Sequence, residues 1–225
     1  MKFFVVEGLD GSGKSTQIRL LKDFFAKRNI AYKYLHFPRT DSPVFGELIA
    51  KFLRGELGDI EHVHPYLVAL IYAGDRMDAA AMIRQWISED IIVILDRYVH
   101  SNIAFQCAKL DRQSDRTRLR EWINYLEYEY FGIPRPDLSL FLDVPFTFTE
   151  TKLGQHRKGD DRDYLKGMND IHEEDIGFQK RVREVYLWQV EQEKDFRLIK
   201  CSGDRGEMLS PGEIFDRVHN ALDIN

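Results

Sequence analysis

The stretch Gly8-Leu9-Asp10-Gly11-Ser12-Gly13-Lys14-Ser15-Thr16 fits the pattern G-x-x-x-x-G-K-[ST] in full. Glycines at Gly8, Gly11 and Gly13 let successive backbone N–H groups turn inward on a polyphosphate, and the start of a following helix adds partial positive charge. Lys14 then reaches the β and γ phosphates, the Ser15 hydroxyl can ligate Mg2+, and Ser12 and Thr16 complete the lining. The plain alternative is a glycine turn that caps a helix. Against it stands the context: the apolar run Phe3 to Val6 precedes the motif and an amphipathic stretch follows it. The pattern specifies a nucleoside triphosphate and little else, because GTPases, ATPases and kinases all share it.

A second substrate has to be read from other residues. Asp96-Arg97-Tyr98, followed by Ser101, Asn102 and Gln106, closes an apolar run at the position where a parallel strand would deliver its end to a ligand crevice. A carboxylate beside a guanidinium there holds a metal shell and a phosphate together, or else forms a structural ion pair. Phe37-Pro38-Arg39 ends another run, and its Arg either forks onto a phosphate from the opposite wall or is solvated. Tyr72 and Arg76 stand four residues apart on one helix face, so the ring can stack on a base while the guanidinium reads its edge; a core aromatic beside a surface Arg is the alternative.

These residues need elements to position them. Short runs of β-branched and aromatic residues at Phe3 to Val6, Tyr32 to Phe37, Ile91 to Leu95, Leu138 to Leu142 and Phe196 to Ile199 predict strands, several of them apolar without alternation as strands buried on both faces are. Helical period appears over Lys14 to Lys27, Val44 to Leu53 and Thr117 to Tyr130. Alternating strands and helices predict an α/β fold, a doubly wound five-stranded parallel sheet flanked by helices. No linker or repeat divides the 225 residues, so one domain spanning 1–225 is expected. Gly154 to Gly167, polar and glycine-bracketed, reads as a mobile lid over roughly 150–170.

The formal net charge of −5 argues against a broad nucleic-acid footprint, since such binding draws on clustered Lys and Arg. The N-terminal apolar run is far too short for a signal segment or a membrane span, and Cys107 and Cys201 stand far apart without metal-ligand spacing. A cytoplasmic protein with neither nucleic-acid nor membrane partner is expected. His62 and His64, beside Pro65, mark a helix start rather than a metal site.

Together EGLDGSGKSTQ at 7–17, FPR at 37–39, YAGDR at 72–76, DRYVHSNIAFQ at 96–106, RPDLSLFLDV at 135–144 and FQKRVREVY at 178–186 resemble the thymidylate kinase family nearly end to end. The resemblance implies a P-loop fold, ATP as phosphoryl donor with Mg2+, and thymidine monophosphate (dTMP) as acceptor. It implies that Asp10 approaches the acceptor's 3′-hydroxyl and that Arg39, beside Phe37, binds its phosphate together with Arg97. Tyr72 would stack on thymine, Arg76 would bond a thymine carbonyl, and Ser101, Asn102 and Gln106 would line the base pocket. Ser15 and Asp96 would serve the metal, Asp96 by orienting its bound water.

Many family members stack the base with Phe where this chain has Tyr72, and some place an Arg where this chain has Gly11. Without that Arg, the chain resembles the bacterial type, whose lid supplies the catalytic charge. Lys152, His156, Arg157, Lys158 and Arg162 are the candidates, Arg157 first. The resemblance also implies a homodimer, paired through the apolar helix Ala69 to Ala81. Rival readings are a kinase for another nucleoside monophosphate or a deoxynucleoside, and a nucleotide-dependent switch. The switch lacks an N-K-x-D guanine-reading motif, Asn169-Asp170 being the nearest pattern.

Overall fold

The computed structural model describes residues 2–58, 62–154, 165 and 175–223. Its apolar runs form β1 (Phe3–Gly8), β2 (Tyr32–His36), β3 (Ile92–Asp96), β4 (Leu138–Asp143) and β5 (Phe196–Lys200). All pair in parallel in the order β2-β3-β1-β4-β5, so the end of β1 lies centrally between β3 and β4. The sheet is the expected one. Strands β1, β3 and β4 lack a polar face because helices cover them on both sides.

The covering helices are α1 (Lys14–Lys27), α2 (Phe45–Leu53), α3 (Pro65–Ser88), α4 (Val99–Cys107), α5 (Gln113–Asn124), α6 (Phe146–Gly154), α7 (Ile176–Gln192) and α8 (Pro211–Leu222). Alternation along β1 divides the core. Phe3 and Val5 pack toward residues of α3, α4, α5 and α7, while Phe4 and Val6 pack toward Ile18, Leu21 and Phe25 of α1 and Ile214, Val218 and Leu222 of α8. Glu7 has the parity of Phe3 and Val5, so the strand's own period turns this carboxylate toward α4 and α7. A smaller cluster of Ile49, Phe52, Leu53 and Val68 fastens α2 to α3.

Three differences from the sequence expectation have physical causes. The helical stretch ending at Tyr130 changes hydrogen-bond pattern after Asn124, and Tyr125–Tyr130 form a π-helical turn. Helix α2 begins at Phe45, because Val44 takes φ 61 and cannot join it. Helix α4 went unforeseen because each of its residues is buried, which leaves no polar face to generate a period. Residues 150–154 of the expected lid belong to α6, and 155–164 and 166–170 lie outside the described residues.

One ion network ties α4, α5 and the end of α7. Glu193 accepts from Arg120 Nη2 at 2.7 Å and lies 2.9 Å from His100 Nε2. Burial alone would raise the Glu193 pKa, but the hydrogen bond from His100 and then the bond and charge of Arg120 outweigh it and bring it down to about 2. A depressed folded-state pKa means stability that is present above the unfolded value and lost as pH falls through the folded one. The stability gap between wild type and Glu193→Gln is therefore expected to be about 1–3 kcal/mol at neutral pH. It should close as pH drops from 4.5 toward about 2. Urea unfolding across that range checks it; a gap independent of pH would contradict it.

Candidate active site

Strand β1 hands the chain to the glycine loop, and Gly11 (φ 78) and Gly13 (φ 87) take left-handed conformations that a side chain would strain. At Gly8 a Cβ would meet Ser12 Oγ at 2.5 Å and displace that hydroxyl. Lys14 is buried, and its Nζ donates to the carbonyls of Gly8 at 3.2 Å and Leu9 at 2.9 Å, so the ammonium lies over the loop it serves. Ser15 is exposed at the first turn of α1 with Thr16 half-buried beside it.

Strand pairing brings Asp96 opposite Val6, next to this loop. Its Oδ2 lies 3.4 Å from His36 Nδ1, and its Oδ1 is buried with no hydrogen-bond partner. Burial would raise the Asp96 pKa, but the hydrogen bond from His36 and the charges of Lys14 and Arg97 hold it below the ordinary carboxylate value. A carboxylate oxygen in want of a partner is a hard donor of the kind that suits Mg2+.

Arg97 follows β3 with φ 67, a strained conformation for a residue with a side chain, and its guanidinium is held from three sides. Nη2 donates to Asp10 Oδ1 at 2.7 Å; Nη1 donates to Ser101 Oγ at 3.1 Å and Tyr186 OH at 3.3 Å. Behind them stands Glu7, wholly buried. It accepts from Tyr98 N at 2.8 Å, Ser101 N at 3.3 Å, Ser101 Oγ at 2.5 Å and Tyr186 OH at 2.9 Å. Gln179 Nε2 donates to Asp10 Oδ2 at 3.3 Å from α7. Phe105 lies under Arg97, with the guanidinium carbon 5.1 Å from the ring centroid.

The other wall is built on α3. Asp75 receives Arg39 N and Nε, both at 2.9 Å, while Arg39 Nη2 reaches Asp78 Oδ2 at 2.7 Å. Tyr72 is half-buried against the cluster of Phe52 and Val68. Gly74 is needed where Phe45 lies against α3, because a Cβ would sit 2.2 Å from that ring. Arg76 is fully buried and forks onto Glu127, Nε to Oε2 at 2.5 Å and Nη2 to Oε1 at 2.7 Å. Asn102 and Gln106 are buried on α4, and Asn102 Oδ1 and Gln106 Oε1 have no hydrogen-bond partner.

The structure thus separates the expected residues. Ser101, expected in the base pocket, donates its hydroxyl to Glu7 and accepts from Arg97, with Tyr186 OH 2.7 Å away. Phe37, expected at the substrate, is buried in the core with its ring centroid 5.7 Å from that of Tyr98. His156, Arg157, Lys158 and Arg162 lie outside the described residues, as does the side chain of Lys152. Sequence reasoning missed Glu7, His36, Asp75, Tyr186 and Glu127. A charge inside an apolar strand was the available signal for Glu7.

A glycine-rich loop after β1 and a clamped guanidinium after β3, on a parallel sheet of this order, define a P-loop protein. Comparisons with known proteins agree. The thymidylate kinase family model matches residues 6–208. The thymidylate kinase of Mycobacterium tuberculosis is 31% identical over 181 residues, covering 80% of this chain and 82% of that protein. A probable thymidylate kinase of Thermococcus gammatolerans is 30% identical over 205 residues, 88% of each chain. The solved thymidylate kinase of Candida albicans superposes with TM-score 0.73 at 23% identity, over 99% of this chain and 91% of that one, a likeness of fold. The chain belongs to the thymidylate kinase family.

Tyr186→Phe tests the clamp. It withdraws a donor from a buried carboxylate and a partner from Arg97, so the protein should lose about 1–3 kcal/mol of stability. Urea midpoints measure this; an unchanged midpoint would mean that Glu7 does not depend on the hydroxyl.

Proposed function

We propose that this chain transfers the γ-phosphoryl group of ATP to dTMP, giving dTDP and ADP. Arg97 carries the proposal: a family member with a strained, three-sided guanidinium clamp beside the triphosphate loop has a fixed cation for an acceptor phosphate. The loop Gly8 to Thr16 would take the ATP phosphates, with Lys14 moving from the loop carbonyls onto the β and γ groups. Ser15 and Asp96 are the residues that would hold Mg2+, which when bound would neutralise charge on those phosphates. Arg97, with Arg39 opposite, would hold the acceptor phosphate so that its oxygen attacks the γ-phosphorus in line as the bond to the β,γ-bridging oxygen breaks. Asp10 would approach the sugar 3′-hydroxyl, and Tyr72, Arg76, Ser101, Asn102 and Gln106 would line the base pocket. Since the acceptor is already an anionic phosphate, no general base is required. From sequence, Arg157 is assigned the charge that meets the transferring phosphoryl.

A single domain and a cytoplasmic location remain our reading, and no helix among the described residues is long and apolar enough to cross a membrane. A homodimer is proposed through α3. Ala69, Ala73, Ala79 and Ala80 are buried within the chain's own core, which leaves Leu67, Leu70 and Met77 as the exposed large apolar residues of that helix, with Ala81 exposed beside them.

Two outcomes are expected in a coupled assay. The kcat/KM for dTMP should exceed that for cytidine, adenosine and guanosine monophosphates by at least roughly two orders of magnitude, because mismatched hydrogen bonds in a buried pocket penalise cytosine and adenine and the size of a purine penalises guanine. Comparable rates with a purine monophosphate would sink the base assignment. Lys14→Ala should abolish turnover with every acceptor, whereas Arg97→Ala should weaken dTMP binding and leave the affinity for a nonhydrolysable ATP analogue nearly intact. Equal loss of analogue affinity in Arg97→Ala would put that residue at the wrong phosphate.

A further inference from the structure

We infer that Glu127 is the positioning residue that sets base selectivity, by holding Arg76 and Asn102 as a fixed donor and acceptor pair that matches an N–H flanked by a carbonyl. This rests on the proposed kinase reading, in which both residues meet the base.

Glu127 lies on the π-helical turn Tyr125–Tyr130 and has no exposed surface. Its neighbours Tyr125 and Tyr130 are exposed, so the turn directs one charged side chain inward while its aromatic ends face solvent. Inside, one oxygen serves both partners. Glu127 Oε1 accepts from Arg76 Nη2 at 2.7 Å and from Asn102 Nδ2 at 3.0 Å, while Oε2 accepts from Arg76 Nε at 2.5 Å. A shared acceptor brings the guanidinium of α3 and the amide of α4 side by side.

The chemistry of the partners then fixes which atom each can offer a ligand. The Asn102 amide sits between a Glu127 oxygen and the Ala69 carbonyl, the latter at 3.0 Å. Both of these only accept, so the atom facing them must be the amide nitrogen, and Oδ1 must face the other way. It does so as a buried oxygen without a partner. On Arg76, the carboxylate takes Nε–H and one N–H of Nη2, which leaves the N–H groups of Nη1 and the second of Nη2 to donate. The pair therefore offers guanidinium N–H donors beside one carbonyl acceptor.

That is the complement of the thymine or uracil O4 and N3–H edge. Cytosine and adenine present an amino group and a bare ring nitrogen instead, so donor would meet donor and acceptor would meet acceptor. A site left with unpaired buried polar groups rejects such ligands strongly. Guanine carries the matching O6 and N1–H edge, so hydrogen bonding does not exclude it and pocket size must. Arg76 alone would not achieve this selectivity: without Glu127 its guanidinium would have no anchor, and the Asn102 amide would keep only Ala69.

The test compares wild type with Glu127→Gln using dTMP, dCMP and dGMP, with melting temperature and nonhydrolysable ATP-analogue affinity as controls. The substitution places an amino group against a guanidinium fork. KM for dTMP should rise at least roughly thirtyfold with kcat changed by less than about threefold, and the dTMP over dCMP preference should fall at least about tenfold. ATP-analogue affinity should not move, and Glu127→Asp, which keeps the charge, should lie between. A merely structural Glu127 would lower all rates alike and leave the preference intact; that result, or an unchanged dTMP KM, overturns the inference. If the variants do not fold, wild type is tested with N3-methyl-dTMP, whose methyl group replaces the N–H that Asn102 Oδ1 would accept. Binding weakened at least roughly a hundredfold supports the fixed acceptor, and binding equal to dTMP overturns it. Wild type that fails to phosphorylate dTMP while turning over another monophosphate would refute the kinase reading instead.

Discussion

A carboxylate with no exposure to water must be met by donors on every side, and Glu7 is such a group. The alternation of β1 leaves it nowhere else to point, since Phe3 and Val5 lie on the same face. Its donors come from the start of α4, through Tyr98 N and Ser101, and from α7, through Tyr186. Meeting this one demand fixes how α4 and α7 sit on the sheet, and the same hydroxyls then hold Arg97 in a conformation it would not choose alone. Truncating either hydroxyl would leave a buried charge short of a partner, which is why such networks are costly to disturb.

The same principle separates what the protein satisfies from what it leaves open. Arg39 is braced by Asp75 and Asp78, Arg76 by Glu127, Arg97 by Asp10, so each cation that would meet an anion or a base is already oriented. Asp96 Oδ1, Asn102 Oδ1 and Gln106 Oε1, by contrast, are buried without partners. Asp96 precedes Arg97 in sequence and the Asn102 amide shares Glu127 with Arg76, places that suit oxygens a ligand or metal would complete. Charge is thus supplied by rigid arms rather than by a general positive surface, in keeping with the net charge of −5.

Much of this was legible in the sequence. The glycine loop and the strand positions could be read because both depend on local chemistry: left-handed glycines, a helix start, β-branched runs buried on two faces. Arg39, Arg76 and Arg97 were legible from their places at strand ends and on one helix face. Their partners were not. Glu127 lies 51 residues from Arg76, and Tyr186 lies 179 from Glu7, so no local pattern links them. The partners of Ser101 were hidden because a hydroxyl on a fully buried helix carries no periodic mark of which side it faces. The π-helical turn that carries Glu127 inward was hidden by an ordinary helical period running through it.

The central claim is that the clamped guanidinium of Arg97 is the seat of the acceptor phosphate. A crystal structure of the protein with dTMP and a nonhydrolysable ATP analogue tests it most directly. The account predicts a dTMP phosphate oxygen within hydrogen-bond distance of the Arg97 guanidinium, with Glu7, Ser101 and Tyr186 arranged as they are here. A dTMP phosphate bound away from Arg97, with that guanidinium engaged only by Asp10, Ser101 and Tyr186, would contradict it.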